Sequence, residues 1–344
     1  MNITILGAGN SGLGMAAHIC YLGHSVRLWN RSPQRLEPII EKSALICSGM
    51  INGNFFPTLV TCDLSEAING TELIIITTPA TAHESLAEDL MKLNLPLAPI
   101  LLSPGRTLGA YSFEQVFKRK NKKIIVAEAQ TVIHTCRDLG DGYVHIFSIK
   151  PSVEISGMNK NSTDKVYETI PNELKEHYSV AENWIKTSLG NIGFVLHCSP
   201  MLLNTGWIES KVHRFNFYRD GITPRVASLI ESIDAERCSI AKKLDTDIFT
   251  IHQWLNKMYG TPISDLHSML QQTAAYQCID APWDMSHRYI YEDVPCGLVP
   301  TEALAKYFNI ETPTISLIID LACCLLDYDF RLNGRIIPKD IEAL

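Results

Sequence analysis

The sequence predicts an α/β domain followed by an all-α domain. Three observations predict this fold class: the chain is 344 residues long, strand-like and helix-like runs alternate in its first half, and helical patterns dominate its second half. A chain of this length usually forms two domains, since single domains hold roughly 100–200 residues. We place the predicted boundary between residues 185 and 186, which gives domains of residues 1–185 and 186–344.

Short apolar runs in the first domain are predicted to be strands of a parallel sheet. Several of these runs are continuously apolar, as expected for strands that helices cover on both faces. The predicted strands are Asn2–Leu6, Val26–Trp29, Leu73–Thr78, Pro99–Ser103, Ile124–Glu128 and Val144–Ile149. The helices predicted between them are Gly12–Leu22, Ala82–Met91 and Phe113–Lys118. This alternation of strands and helices predicts a doubly wound sheet.

The second domain is predicted to be helical because its apolar residues recur at helical spacing. Apolar side chains in Pro224–Lys243 follow one another three and four residues apart, and Thr223 with Pro224 suits an N-cap and a first helical residue. Ser199 or Pro200 is predicted to open the all-helical part of this domain. Further helices are predicted at Asp247–Met258, Thr301–Phe308 and Ile315–Leu326. The last of these is too short to span a bilayer, so it is predicted to be a buried helix.

Charge and cysteine content argue against several classes of protein. The formal net charge is −7 and no run of lysine or arginine stands out, which argues against a nucleic-acid or membrane partner. The ten cysteines form no CxxC pair and no zinc-like spacing with histidine, so we expect no metal site. We expect no signal peptide and reduced thiols, which together predict a cytoplasmic protein. The oligomeric state stays open, with a homodimer as one alternative.

A glycine motif follows the first predicted strand and opens the first predicted helix. The motif is Gly7-Ala8-Gly9-Asn10-Ser11-Gly12. In such a GxGxxG turn, the first glycine permits the tight turn, the second lets a pyrophosphate approach the backbone, and the third lets helix and strand pack closely. Free N–H groups at the helix N-terminus favour the phosphates. The complete strand–turn–helix–strand unit predicts a Rossmann domain that binds a nicotinamide dinucleotide; a glycine turn without nucleotide is the alternative.

The residues after the second strand favour NADP(H) over NAD(H). An NAD site usually carries Asp or Glu here, which accepts a hydrogen bond from the ribose. This chain has Asn30 and Arg31, with Arg35 a turn later. A guanidinium can bind a 2′-phosphate with paired hydrogen bonds, whereas a carboxylate would repel it. NAD stays open, because Asn30 could bind an unmodified ribose and Arg31 could be a solvated surface residue.

Polar residues also follow later strands, at the edge of the sheet where α/β folds bind ligands. Thr78 and Pro79 follow the third long strand and are predicted to line the cofactor site. Gln130 and Thr131 follow the fifth strand and are candidates for binding substrate or the nicotinamide amide. The alternatives are a simple tight turn for the first pair and hydrogen bonding to backbone at the strand end for the second.

A series of short motifs runs in order along nearly the whole chain. In the first domain they are the glycine turn, Leu102–Ala110 and Ala127–Thr131. In the second they are Thr187–Asn191, Val195–His197, Leu202–Gly206, Phe217–Pro224, Ile233–Arg237 and Arg288–Pro300. Together these motifs resemble those of the octopine/nopaline (opine) dehydrogenases. The resemblance implies NAD(P)H-dependent condensation of an amino acid with an α-keto acid such as pyruvate, in which an imine is reduced to a secondary-amine dicarboxylate.

The resemblance also implies the catalytic residues. His197 matches the family histidine, Asp293 the aspartate and Arg288 the arginine near them. Histidine suits proton transfer near neutral pH, and a carboxylate on its second ring nitrogen would fix the tautomer. Arg288 could clamp a substrate carboxylate or pair with Asp293. One departure is Cys198, at a position where many members of the family have proline.

Some residues near these motifs have a structural and a functional interpretation. Asn204, in the Leu202–Gly206 motif, either caps a helix or binds substrate. Four aromatic residues are expected in the core rather than around a substrate. They are Phe215, Phe217, Tyr218 and Trp254.

Two other functions fit parts of the pattern. A hydroxy-acid or alcohol dehydrogenase of the 6-phosphogluconate-dehydrogenase-like superfamily would use a lysine of the helical domain, for which Lys211 is the nearest candidate, in surroundings that do not match. A catalytically silent NADP-binding regulator would keep the glycine turn and lose the acid/base pair. The presence of His197 with Asp293 argues against the regulator.

Overall fold

The chain divides into two compact units, Met1–Ser188 and Leu189–Leu344, each with its own hydrophobic core. The structure is a computed structural model that describes residues 1–93, 95–210, 212 and 214–335. The predicted boundary between residues 185 and 186 falls inside a helix, Trp184–Leu189, near the end of the first unit. Among the described residues, no helix combines the length and the apolar composition that a membrane crossing requires.

Strands and helices alternate along the first unit, as predicted. The strands are β1 (Asn2–Leu6), β2 (Ser25–Trp29), β3 (Leu45–Gly49), β4 (Gly53–Phe55), β5 (Leu59–Thr61), β6 (Leu73–Ile76), β7 (Ile100–Leu102), β8 (Val126–Ala129), β9 (His134–Asp138), β10 (Tyr143–Ile149), β11 (Val153–Ser156) and β12 (Tyr178–Val180). The helices are α1 (Asn10–Tyr21), α2 (Glu37–Lys42), α3 (Leu64–Ile68), α4 (His83–Lys92), α5 (Gly109–Lys118), α6 (Lys160–Thr169), α7 (Asn172–Lys175) and α8 (Trp184–Leu189), with short 3-10 helices at Pro33–Arg35 and Ala80–Ala82.

The main sheet of the first unit has eight strands in the order β12-β11-β8-β7-β6-β1-β2-β5. Neighbouring strands run parallel except β8 and β11, which pair antiparallel. Because the connections diverge from β1 towards β2 on one side and β6 on the other, the carboxyl ends of these strands form the crevice where such folds bind ligands. Five of the six predicted strands lie in this sheet, and the predicted doubly wound Rossmann fold is confirmed.

The sixth predicted strand lies in a second sheet, which corrects the prediction. β10 belongs to a four-stranded sheet in the order β4-β3-β10-β9, where it runs parallel to β3 and antiparallel to β9. Val144 and Ile146 are buried, whereas Phe147 is exposed. Partial exposure of this kind is typical of a strand that helices do not cover on both faces. The neighbouring strands β3, β4 and β9 are short and were not predicted from the sequence.

Complete burial explains why the central strands are continuously apolar. Every residue of β6 is fully buried, and so are Ile3 and Ile5 of β1. Burying one such isoleucine contributes about 1.5–3 kcal/mol. Thr4 is the polar exception, and its hydroxyl donates a hydrogen bond to the carbonyl oxygen of Ala67 at 2.7 Å. The two strands that flank the crevice are therefore the rigid centre of the sheet.

The second unit is helical, as predicted. Its helices are α9 (Gly193–Leu203), α10 (Thr205–Ser210), α11 (Pro224–Lys243), α12 (Ile251–Tyr259), α13 (Leu266–Gln272), α14 (Arg288–Tyr291), α15 (Val299–Tyr307) and α16 (Pro313–Leu326), with a 3-10 helix at Ala274–Tyr276 and a π-helix at Val294–Leu298. Thr223 is the N-cap of α11 and Pro224 its first residue, as predicted. α12 begins later than predicted, because the side chains of Thr250 and Gln253 form a capping box at its start.

The first helix of the second unit begins earlier than predicted. Pro200 lies inside α9 rather than at its start. A proline has no N–H, so the carbonyl of Leu196 loses its helical hydrogen bond at this turn. The amide of Asn204 donates to the carbonyl oxygen of Pro200 at 2.8 Å. Most of α9 is buried, and this burial stabilises the helix although Pro200 lies in its interior, where proline is disfavoured.

The Ile233–Arg237 motif forms a buried ion pair on α11. The guanidinium of Arg237 is fully buried and donates to Asp234 Oδ1 at 2.5 Å. It also donates to the carbonyl oxygens of Leu189 at 2.5 Å and Phe249 at 2.7 Å. Asp234 Oδ2 accepts from the backbone N–H of Ile251 at the start of α12. The motif thus fastens three segments of the second unit together.

Candidate active site

Two of the three motif glycines are required by close contacts in the turn between β1 and α1. Gly7 has a φ of +119°, a conformation that side chains disfavour. A Cβ atom on Gly12 would lie 1.7 Å from the carbonyl oxygen of Gly7. A Cβ atom on Gly9 would meet no protein atom within 4 Å. Gly9 therefore leaves open space at the N-terminus of α1, where the predicted pyrophosphate would bind.

The other residues of the turn are held by neighbouring segments. The backbone N–H of Ala8 donates to Asn30 Oδ1 at 3.0 Å, and the amide of Asn30 donates to the carbonyl oxygen of Ser32. The side chain of Asn10 accepts from the backbone N–H of Asp138 at 2.8 Å. Ser11 is half-buried in the first turn of α1. Asn30 and Asn10 thus fix the shape of the turn.

A pocket of about 130 Å³ opens beside the glycine turn in the first unit. It is lined by Trp29, Asn30, Arg31, Ser32, Thr78, Pro79, Ala82, Ser85, Leu86 and Asp89. Asn30, Arg31, Thr78 and Pro79 were all predicted cofactor residues, and the fold brings them together here. Thr78 Oγ1 is buried without a hydrogen-bond partner among the described residues. These groups offer a cation and a hydroxyl to a ribose or its phosphate.

The two predicted arginines differ in their surroundings. Arg31 is exposed at the pocket, and among the described residues its guanidinium has neither a hydrogen bond nor an ion pair. Arg35 instead binds Asp138, with its Nη1 3.0 Å from the carboxylate. Arg35 also does not line the pocket. Arg31 is therefore the better placed of the two to bind a phosphate.

Three polar residues of the pocket were not predicted from the sequence. Ser32 directly follows Arg31. Its position after the second strand could have identified it as a cofactor residue. Ser85 and Asp89 lie four residues apart on α4, so they share one face of that helix. Helical spacing after Thr78 and Pro79 could have identified them.

A buried carboxylate, Glu128, joins residues of three motifs, Leu102–Ala110, Ala127–Thr131 and Thr187–Asn191. Glu128 Oε1 accepts hydrogen bonds from the hydroxyls of Thr187 at 2.9 Å and Ser188 at 2.6 Å. Its Oε2 accepts from the backbone N–H of Ala110 at 2.8 Å. The hydroxyl of Ser188 also accepts from the backbone N–H of Leu108. The sequence does not predict this network, because Glu128 ends a predicted apolar strand.

Gln130 and Thr131 lie directly after β8, as predicted. Gln130 is buried and its backbone N–H donates to the carbonyl oxygen of Glu154 at 2.9 Å. Thr131 is half-buried. Neither residue lines the pocket beside the glycine turn. Their roles in substrate binding stay predictions.

The second unit brings the predicted histidine and aspartate into contact. His197 lies on α9, and Asp293 directly precedes the π-helix. The distance from His197 Nδ1 to Asp293 Oδ2 is 2.6 Å, and Asp293 is fully buried. An ionised carboxylate can only accept, so Nδ1 carries the proton and donates it to Asp293. This tautomer leaves Nε2 as the basic atom of the ring.

Two tyrosines surround the imidazole of His197. The hydroxyl of Tyr218 lies 2.9 Å from Nε2, and the ring of Tyr289 stacks on the imidazole with centroids 3.8 Å apart. Tyr218 is buried, as predicted, but its hydroxyl contacts the proposed catalytic residue. Burial and the neighbouring tyrosines raise the pKa of Tyr218 well above its usual value. Its phenol is therefore neutral near pH 7.

Arg288 and Asn204 have specific partners of their own. Arg288 Nε donates to Glu292 Oε2 at 2.8 Å, so the alternative pairing with Asp293 is not seen. The Arg288 side chain is 48% exposed, which leaves the rest of its guanidinium accessible.

Asn204 is the C-cap of α9, and its side-chain amide donates to the carbonyl oxygens of Pro200 and Gly221. This geometry fits the capping interpretation of Asn204 rather than substrate binding.

Comparison with known proteins identifies the two halves of the chain. Residues 180–326 match the family model "NAD/NADP octopine/nopaline dehydrogenase, alpha-helical domain". Residues 2–105 match "NAD-dependent glycerol-3-phosphate dehydrogenase N-terminus". The opine dehydrogenase of Arthrobacter sp. (strain 1C) is 34% identical over 97% of this chain and 93% of its own length.

Solved structures share the fold over nearly the whole chain. An octopine dehydrogenase with NADH and L-arginine has a TM-score of 0.76 at 18% identity, covering 97% of this chain and 93% of that one. A yersinopine dehydrogenase with NADP⁺ has a TM-score of 0.77 at 14% identity, covering 95% and 91%. Given the 34% identical relative, the chain belongs to the opine dehydrogenase family and is an NAD(P)-dependent oxidoreductase that acts on CH–NH donors.

Proposed function

We propose that this protein condenses an amino acid with an α-keto acid such as pyruvate, using NADPH as reductant and His197 as general acid and base. The observation that carries the proposal is the 2.6 Å contact between His197 Nδ1 and buried Asp293. The substrate class is supported by octopine dehydrogenase structures solved with L-arginine, agmatine or pyruvate. The identities of the amino acid and keto acid follow from a screen of both.

The residues of the first unit fit a dinucleotide. Gly9 leaves open space at the start of α1, where unpaired helix N–H groups would bind the pyrophosphate. Arg31 and Ser32 would bind a 2′-phosphate, and the buried hydroxyl of Thr78 would donate to the ribose. When bound, the cofactor supplies the hydride that reduces the imine carbon.

His197 moves the protons of the condensation. Its Nε2 takes a proton from the substrate ammonium group, so that the amine attacks the keto carbon. The same nitrogen then returns the proton to the departing hydroxyl, which leaves as water. Asp293 accepts from Nδ1–H throughout, which fixes the tautomer and stabilises the imidazolium. The accessible N–H groups of Arg288 would hold a substrate carboxylate.

The proposed reaction is tested by its dependence on an amine. NADPH oxidation is measured with pyruvate alone and with pyruvate plus each amino acid. We expect oxidation only when both substrates are present. Equal rates with pyruvate alone would instead support the second candidate, a hydroxy-acid dehydrogenase; its nearest lysine, Lys211, lies outside the described residues.

Arg31→Gln is expected to weaken NADPH binding about 10- to 100-fold, because charge-assisted hydrogen bonds to the 2′-phosphate are lost. NADH, which lacks that phosphate, should bind almost unchanged. Arg35→Gln is the matched control, since Arg35 already pairs with Asp138. Both dissociation constants are measured by nucleotide fluorescence. An equal loss for NADPH and NADH would show that Arg31 does not read the 2′-phosphate.

Gly9→Ala is expected to weaken binding of either nucleotide about tenfold or more, without loss of folding stability. The added Cβ meets no protein atom within 4 Å, so only a ligand can clash with it. Thermal unfolding without nucleotide and nucleotide titration separate the two effects. A variant that binds NADPH as tightly as the parent would contradict the placement of the pyrophosphate.

Compartment and assembly stay predictions. All ten cysteines are free, which supports the predicted cytoplasmic location. The oligomeric state, for which a homodimer is one alternative, is checked by light scattering. Twice the mass of one chain supports it, and the mass of a single chain contradicts it.

A further inference from the structure

Both ring nitrogens of His197 have partners in the second unit. Nδ1 binds Asp293 at 2.6 Å, and Nε2 lies 2.9 Å from the hydroxyl of Tyr218. Proton transfer to substrate must use Nε2, because Nδ1 is held by a fully buried carboxylate. The hydroxyl of Tyr218 is therefore in contact with the one nitrogen that the reaction needs.

A phenol can serve both protonation states of that nitrogen. A hydroxyl is both donor and acceptor, so Tyr218 donates to Nε2 of the neutral imidazole. When Nε2 carries a proton, the same oxygen accepts from it. Burial raises the pKa of the phenol and keeps it neutral. A neutral phenol transfers a proton when its oxygen takes up one proton while its hydroxyl proton leaves.

Aromatic stacking fixes the position of this hydroxyl. The ring of Tyr218 stacks on Tyr276 with centroids 4.2 Å apart and an interplanar angle of 15°. The hydroxyl of Tyr289, whose ring stacks on the imidazole, is close enough to Tyr218 to contribute to the raised pKa of its phenol. Tyr289 is only half-buried, so part of its side chain contacts solvent. Tyr218 and Tyr289 thus lie in succession between Nε2 and solvent.

We propose that Tyr218 is a positioning residue that holds Nε2 of His197 and relays protons between it and solvent through Tyr289. The inference rests on the proposed acid/base role of His197. Each condensation takes up one proton from water: the ammonium proton leaves with the hydroxyl as water, and the secondary amine formed by hydride transfer then gains a proton. The relay delivers that proton to Nε2, and the amine nitrogen takes it once the amine replaces the Tyr218 hydroxyl as the partner of Nε2.

Tyr218→Phe is the first test, because it keeps the stacked ring and removes only the hydroxyl. We expect kcat to fall about 10- to 100-fold with little change in KM for the amino acid. Tyr276→Phe is the matched control, since phenylalanine keeps the ring that stacks on Tyr218 and removes a hydroxyl whose side-chain partner is Tyr259; it should keep the parent kcat. Parent kcat in Tyr218→Phe, or equal losses in both variants, would overturn the relay.

Further measurements distinguish loss of the relay from misfolding of the variant and from failure of the proposed function. In the parent, the ¹⁵N resonance of His197 Nε2 should show a hydrogen bond that Tyr218→Phe removes; an unchanged resonance would overturn the proposal. Incorporating meta-fluorotyrosine at position 218 keeps the packing and should restore most of kcat. If His197→Asn is inactive while Tyr218→Phe matches the parent, only the relay fails. If His197→Asn is active, the proposed function fails first.

Discussion

Replacing His197 with asparagine is expected to lower kcat by about 10²- to 10⁴-fold, the usual contribution of a general acid or base. Asparagine cannot take up and return a proton at neutral pH, so both the activation of the amine and the departure of water slow down. Affinity for NADPH should stay close to the parent value, because every residue assigned to the dinucleotide lies in the first unit. Steady-state kinetics and nucleotide titration measure the two quantities.

Asp293→Asn is the matched variant for this prediction. The substitution keeps the volume of a fully buried side chain and removes its charge. A neutral amide can donate to Nδ1, which places the histidine proton on Nε2 and leaves no base for the substrate. A large loss of kcat with retained NADPH affinity is expected. Parent-level turnover by either variant would show that another group moves the protons.

Arg237→Ala is expected to lower the free energy of unfolding by about 3–5 kcal/mol, the usual cost of removing one partner from a buried ion pair. The loss leaves Asp234 buried without its cation and removes hydrogen bonds to the carbonyl oxygens of Leu189 and Phe249. Urea unfolding followed by circular dichroism measures the change.

The matched control is Arg219→Ala, which breaks an exposed ion pair with Asp220. This variant should unfold at nearly the parent urea concentration, because water already solvates both groups. Equal destabilisation by the two substitutions would contradict the structural role given to the Ile233–Arg237 motif.

The fold was predictable where apolar pattern and burial agree. β6 and β1 are continuously apolar because they lie at the centre of the sheet, and α11 has its cap and proline where the sequence placed them. Prediction failed where local preference and tertiary context disagree. Pro200 suits a helix start, yet burial of α9 keeps it in the interior. Likewise β10 is long and apolar, but nothing local indicated its pairing with β3.

The site was predictable from the sequence only where the contacts lie within one short motif. The glycine turn predicts its contacts because Gly12 must lie against Gly7. No spacing rule joins His197 to Asp293, 96 residues apart, and only the resemblance to a family paired them. Tyr218 was expected in the core, which is correct for its ring. The contact of its hydroxyl depends on the path of the backbone, which sequence pattern does not define.

The most direct test of the account is the kcat of the double variant His197→Asn/Asp293→Asn in the amine-dependent reaction. If the aspartate acts only through the imidazole, the double variant should be no slower than His197→Asn alone, because nothing remains for Asp293 to orient. If instead the two single losses multiply, each residue contributes separately. The proposed histidine–aspartate unit would then be wrong.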